Sequence, residues 1–235
     1  MTFLSVPAEV FLLSLVGGVI PALIWLQFWL REDGARPEPR GLIMLTFLAG
    51  MIAVPLVIPF QNWTNFRDNQ PLTFFIWAGL EEIFKFGAAY IVALKKKDDN
   101  EPIDPIIYMM TAALGFTAME NTIFLFNPLL HGNYTESLIT GNIRFIGASL
   151  LHTISSATVG IAMGLSFYRG QALKKFDLFI GLVIAIGLHT AFNLFIIKEN
   201  SGATFATLGF VWIAIVVLML FFEKVKRIYP VNKIE

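Results

Sequence analysis

Seven apolar runs fill most of this 235-residue chain, near 3–29, 41–60, 73–94, 106–126, 143–168, 178–197 and 203–222. As helices, each is long enough to cross the roughly 30 Å hydrocarbon core of a bilayer. The polar connections are short, leaving no room for a separate soluble domain. The expected fold is all-α: a polytopic transmembrane helical bundle of about seven spans. It forms a single domain over 1–235, with its chemistry in a core at about 73–197. Composition supports this, since 56% of residues are hydrophobic and 14% charged, whereas soluble domains carry roughly 25% charged residues. The zero formal net charge gives no sign of a nucleic-acid partner. The absence of cysteine excludes disulfides and thiolate metal sites. The first run lacks a basic flank and is too long for a cleaved signal peptide, so it reads as a retained span.

Basic residues set the expected orientation. The connections 31–40, 95–105 and 169–177 and the C-terminal tail together hold 13 of the 17 Lys and Arg. The opposite side holds Arg67, Lys198 and, at the start of the fifth run, Arg144. This places the N-terminus outside and the C-terminus in the cytoplasm. Two sequons, "NWT" at 62–64 and "NYT" at 133–135, fall on the outer side. They matter only in a eukaryotic secretory host.

The apolar runs contain few strongly polar residues: Glu81, Glu82, Lys85, Glu120, Asn121, His152, His189 and Asn193. Glu9 lies near the outer end of the first run. A charged side chain at mid-membrane costs about 3 kcal/mol on insertion scales. These side chains must therefore face the bundle interior and find partners. Counted along each run, Glu81, Glu82, Glu120, His152 and His189 all fall roughly 9–14 Å below the outer boundary. Four helices thus bring carboxylates and imidazoles to one level. A lone intramembrane Asn or His is ordinarily an interhelical hydrogen-bond partner, and one Glu–Lys pair is ordinarily structural. A set that agrees in depth across four helices points instead to a functional centre.

Helical spacing adds detail. Glu81 and Lys85 are i,i+4, and Glu82 and Lys85 are i,i+3. His189 and Asn193 project together, as do Phe116 and Glu120. Ser156, Gly160 and Gly164 continue from His152 at i+4 steps, a small-residue seam for close helix approach. Carboxylates and two imidazoles can supply a general base, a general acid, oxyanion donors or a metal site. No HExxH motif is present, and no serine sits at triad spacing from a clear base, although Ser155 and Ser156 lie near His152. The simplest hydrolytic nucleophile is a water activated by glutamate. One divalent metal such as zinc, held by Glu120, His152 and His189, could assist it. A metal-free route would use His189 and Asn193 to stabilise the oxyanion.

Four motifs carry a family resemblance. "EEIFK" (81–85), "GFTAMEN" (115–121), His152 in "SLLHTISSATVG" and "HTAFN" (189–193) occur in order on separate runs. The set resembles that of PrsW-type intramembrane proteases, relatives of the Abi/CAAX prenyl endopeptidases. The sequence departs from the prenyl-protease pattern at Phe86, where that pattern has Arg, and at Glu120, where it has His. The resemblance implies cleavage of a membrane-anchored protein, such as an anti-sigma factor-like regulator, in a prokaryotic plasma membrane. It implies Glu81 as water-activating base, with Glu82 and Lys85 tuning it. His189, Asn193 and His152 would be ligands, oxyanion donors or a proton shuttle; Glu120 has no clear counterpart role. The competing readings are a CAAX-type prenyl-protein endopeptidase, a proton-coupled transporter and a non-catalytic scaffold of the same fold.

Overall fold

The computed structural model describes residues 7–32, 36–66, 68–196 and 201–229; of residues 32, 196 and 201–208 it describes the backbone alone. The described residues form eight α-helices and no strand. They are α1 (Ala8–Glu32), α2 (Arg40–Trp63), α3 (Gln70–Ala89), α4 (Asp104–Leu130), α5 (Tyr134–Ile146), α6 (Ala148–Leu165), α7 (Gln171–Ile196) and α8 (Ser201–Lys226). A π turn, Tyr90–Leu94, closes α3. The all-helical expectation holds. Among the described residues, five stretches are long and apolar enough to cross a membrane: α1, α2, α4, α5 with α6, and α7. At 20 residues α3 has the length to span as well, but it carries Glu81, Glu82 and Lys85. The first and seventh apolar runs lie partly outside the described side chains, as do Arg67, Lys198 and Lys233.

Helix α4 is the hub, packed against α1, α2, α3, α5 and α6. It is buried along nearly its whole length from Asp104 to Ala118. Lipid tails are as apolar as leucine, so such helices associate through close packing at small residues. Two glycines make the α2–α4 crossing. A Cβ on Gly50 would strike the Ala112 carbonyl, and one on Gly115 would strike the Phe47 carbonyl. The small-residue seam of α6 serves likewise, because a Cβ on Gly160 would lie 2.5 Å from the Ile106 Cα of α4.

Several of the basic connections share one end of the bundle. Arg36 Nη1 donates to Glu101 Oε1 at 2.5 Å, and Tyr108 donates its hydroxyl proton to Glu38. The backbone N–H groups of Asn100 and Glu101 each donate to Asp104 Oδ2 at 2.7 Å. Gly164, near the end of α6, faces Pro102 and Val225 of α8. Within this junction Asp99 is pushed up to about 7, first by burial and then by the neighbouring Asp104.

The fifth run departs from expectation. Instead of one helix over 143–168, the chain forms α5 and α6, broken at Gly147. Residues 134–142, expected in an outer connection, belong to α5. Polar residues around Leu138 and Ile139, and before Ile143, keep the mean hydropathy of the stretch low. These three nonetheless line one exposed side of a helix.

Candidate active site

Helix α3 buries a charged face. Glu82 and Lys85 are fully buried, and Glu81 is 6% exposed. Their i,i+3 and i,i+4 spacing stacks them over one another. Lys85 Nζ donates to Glu82 Oε1 at 2.8 Å and lies 3.8 Å from Glu81 Oε2. The ammonium also sits 4.7 Å from the Phe116 ring centroid on α4. Glu82 accepts two more bonds, from Ser156 Oγ at 2.8 Å and from His189 Nδ1 at 2.9 Å. A buried carboxylate with three donors is fully satisfied, as such a group must be.

These contacts fix the roles of the ring nitrogens. An ammonium has only donors, so His152 Nδ1 accepts from Lys85 Nζ at 2.7 Å. His152 Nε2–H then donates to Glu120 Oε2 at 3.0 Å. His189 donates from Nδ1 to Glu82, and its Nε2 lies 3.6 Å from Glu81 Oε2. The two imidazoles meet edge to face, with centroids 4.9 Å apart.

Glu81 is the exception in this saturated network. Its Oε1 accepts from Gln61 Nε2 at 2.8 Å, while Oε2 is buried without a hydrogen bond, with His189 Nε2, Lys85 Nζ and His152 Nδ1 at 3.6, 3.8 and 3.9 Å. An orphaned buried carboxylate oxygen marks a place where something else binds. Glu81, His152 and His189 each offer a ligand atom, all within 4.8 Å of one another. Two nitrogens and a carboxylate oxygen are an ordinary zinc donor set. The Glu82–His189 bond is the carboxylate–imidazole support that such ligands usually have. The donor types fit a divalent metal, and His152 would ligate it through Nδ1 once Lys85, which occupies that lone pair here, turns away.

The sequence pattern of the PrsW family intramembrane metalloprotease matches residues 38–222. The chain belongs to that family. It is a peptidase, as the four ordered motifs imply, and an intramembrane one. It is 27% identical to the Protease PrsW of Halalkalibacterium halodurans over 86% of this chain and 93% of the relative. It is 29% identical to that of Clostridioides difficile over 83% and 82%. The protein of the same name in Bacillus subtilis is 26% identical over 82% and 86%. No solved structure matches the chain.

Within this PrsW-family fold, residues from four motifs converge: Glu81, Glu82 and Lys85 from α3, Glu120 from α4, His152 from α6 and His189 from α7. Two details differ from the sequence expectation. Glu120 does not share a ligand centre with both imidazoles. It lies on the far side of His152, bound to Nε2 and to Arg144; Glu81 takes its place in the donor triad. Asn193 is half-buried and, among the described residues, no hydrogen bond links it to the cluster.

Three residues of the network escape a reading based on charges within spans. Gln61 lies just past the second apolar run, where an amide is unremarkable. It reaches Glu81 from α2 and is steadied by Trp77 Nε1, which donates to the Gln61 carbonyl at 3.0 Å. Ser156 belongs to the small-residue seam; its i+4 spacing from His152 was the available signal. Arg144 reads as an outer-side charge, yet it reaches Glu120 and Asn121.

Proposed function

We propose that the protein hydrolyses a peptide bond of a membrane-anchored protein with a water activated by Glu81. The buried Oε2 of Glu81, which lacks a hydrogen bond and faces two imidazoles, carries this reading. That oxygen accepts the proton of the attacking water. Gln61 holds the other carboxylate oxygen and so directs Oε2 toward His189. Lys85 places a positive charge 3.8 Å from Glu81 Oε2, where it opposes the negative charge that develops on the scissile carbonyl. Glu82 orients both Lys85 and His189. In a metal-assisted route Glu81, His152 and His189 would instead hold a divalent metal, zinc being the natural fit to these donors, and Glu81 Oε2 would then be a ligand and not the base. When bound, the metal lowers the pKa of a ligated water and polarises the substrate carbonyl.

The clustering of basic connections at one end supports an N-terminus outside and a C-terminus in the cytoplasm of a prokaryotic plasma membrane. In that orientation the cluster lies in the outer half of the bilayer. A prenyl-tail protease would open toward the cytosol, so a single-pass membrane regulator of the anti-sigma type is the favoured substrate class.

The test is cleavage of a co-expressed single-pass reporter by Glu81→Gln and His189→Ala, with metal content measured on the same preparations. Both variants should fold, lose cleavage by at least about 10³-fold and bind less metal. Full cleavage by Glu81→Gln refutes the assignment. Full cleavage by metal-free protein selects the unaided glutamate route.

A further inference from the structure

We propose that Arg144 is a positioning residue of this active site, acting on His152 through Glu120. The inference rests on the protease reading above. Arg144 belongs to none of the four motifs and comes from α5, a helix that contributes no other polar side chain to the cluster.

The guanidinium is gripped at three points along one face of α4. It bonds Glu120, its Nε donates to Asn121 Oδ1 at 2.5 Å, and its Cζ lies 3.9 Å from the Phe124 ring centroid. Ser149 Oγ, at the start of α6, donates to the Arg144 carbonyl at 3.1 Å. The shared atom decides the role. Glu120 Oε2 is at once the partner of Arg144 and the acceptor for His152 Nε2–H. Where the guanidinium holds that oxygen, the imidazole must follow. With Nε2–H committed to Glu120, His152 presents Nδ1, and Nδ1 faces Lys85 and lies 3.9 Å from Glu81 Oε2. A relay thus runs from α5 through Glu120 and His152 to the reacting centre. Anchoring of α5 alone would need only Asn121 and Phe124.

A flexible carboxylate on an uncharged helix surface has several rotamers, whereas a guanidinium fork selects one. Support of a ligand imidazole by such outer contacts is typically worth 10- to 100-fold in activity or metal affinity. Arg144→Met is the informative change, because it keeps apolar contact with Phe124 and so keeps α5 docked. We expect kcat to fall about 10- to 100-fold with KM within about twofold. Arg144→Lys retains charge but cannot span Glu120 and Asn121, and should recover part of the loss. Glu120→Gln should produce a similar fall, and the double variant no more than Glu120→Gln alone.

The chain has three histidines, so ¹⁵N-histidine spectra of protein in nanodiscs can be assigned with single-histidine substitutions. The wild-type spectrum should show His152 protonated on Nε2, and Arg144→Met should alter that signal. Should the methionine variant not fold, Arg144→Gln is read in the same way, since it keeps a donor for Asn121 but no charge for Glu120. A raised KM with unchanged kcat overturns the proposal, making α5 a substrate-contacting element. So does additivity of the Arg144 and Glu120 losses. Loss of the protease reading is separately visible: Glu81→Gln would then cleave normally, whatever Arg144→Met does.

Discussion

Lys85→Met is the perturbation for which the structure gives the clearest magnitude. Lys85 is fully buried and makes two short bonds, to Glu82 Oε1 at 2.8 Å and His152 Nδ1 at 2.7 Å. Hydrogen bonds to charged groups are worth about 1.5–3 kcal/mol each, which gives roughly 3–6 kcal/mol for the pair. Removing one partner of a buried ion pair typically costs about 3–5 kcal/mol, because the other charge stays buried and unpaired. Methionine fills most of the lysine volume and keeps contact with Phe116, so the cavity contribution is small. The expected loss is therefore about 4 kcal/mol. Glu82→Gln in the same chain removes the stranded charge; its carbonyl keeps the bond from His189 Nδ1, and its NH2, in the place of Oε2, donates to the Ser156 hydroxyl, which turns to accept. The double variant should recover about 2–3 kcal/mol, a coupling visible only in a double-mutant cycle. The assay is reversible unfolding in mixed micelles of rising SDS fraction, followed by tryptophan fluorescence. A Lys85→Met loss below about 1 kcal/mol, within the range of an exposed ion pair, would refute the placement of Lys85 as the central cation. Losses that simply add would do the same.

Gln61→Ala should lower kcat/KM about tenfold in reporter cleavage, because one hydrogen bond to a carboxylate, worth about 1.5 kcal/mol, orients Glu81; unchanged kinetics would dismiss that role. Asp99 should make stability depend on pH. In the folded chain it keeps its proton up to about 7, whereas an unfolded aspartate loses it near 4. Between those values the folded state binds more protons than the unfolded one, so stability falls as pH rises and levels off above about 7. Thermal unfolding between pH 5 and 8 should show this slope in wild type and a flatter one in Asp99→Asn; parallel curves would overturn it.

The candidate site was legible where polarity is costly. Charges inside apolar helices stand out because hydrocarbon penalises them, so Glu81, Glu82, Lys85, Glu120, His152 and His189 could be picked out and compared in depth. The same logic is blind at the edges of spans. Gln61 costs nothing near an interface, and Arg144 looks like any solvated outer charge until the fold turns it inward. Helix α5 was missed for a related reason: its apolar residues lie on one side, so averaging over a window dilutes them. The assignment of Glu81 rather than Glu120 to the donor triad depends on side-chain direction across four helices, which linear spacing does not encode.

The glycine crossing between α2 and α4 has a consequence for the site some distance away. Gly50 and Gly115 let two backbones touch, which fixes α2 against α4 in both height and rotation. Gln61 lies eleven residues further along α2, three turns or roughly 16 Å on, and so on the same face. The crossing is thus the zero mark of a ruler whose far end is the amide on Glu81. A single residue inserted between Gly50 and Gln61 would swing that amide by about 100° and leave it facing elsewhere, even though no residue of the site had changed. Spacing along α2, more than the identity of its residues, is what this part of the chain is built to keep.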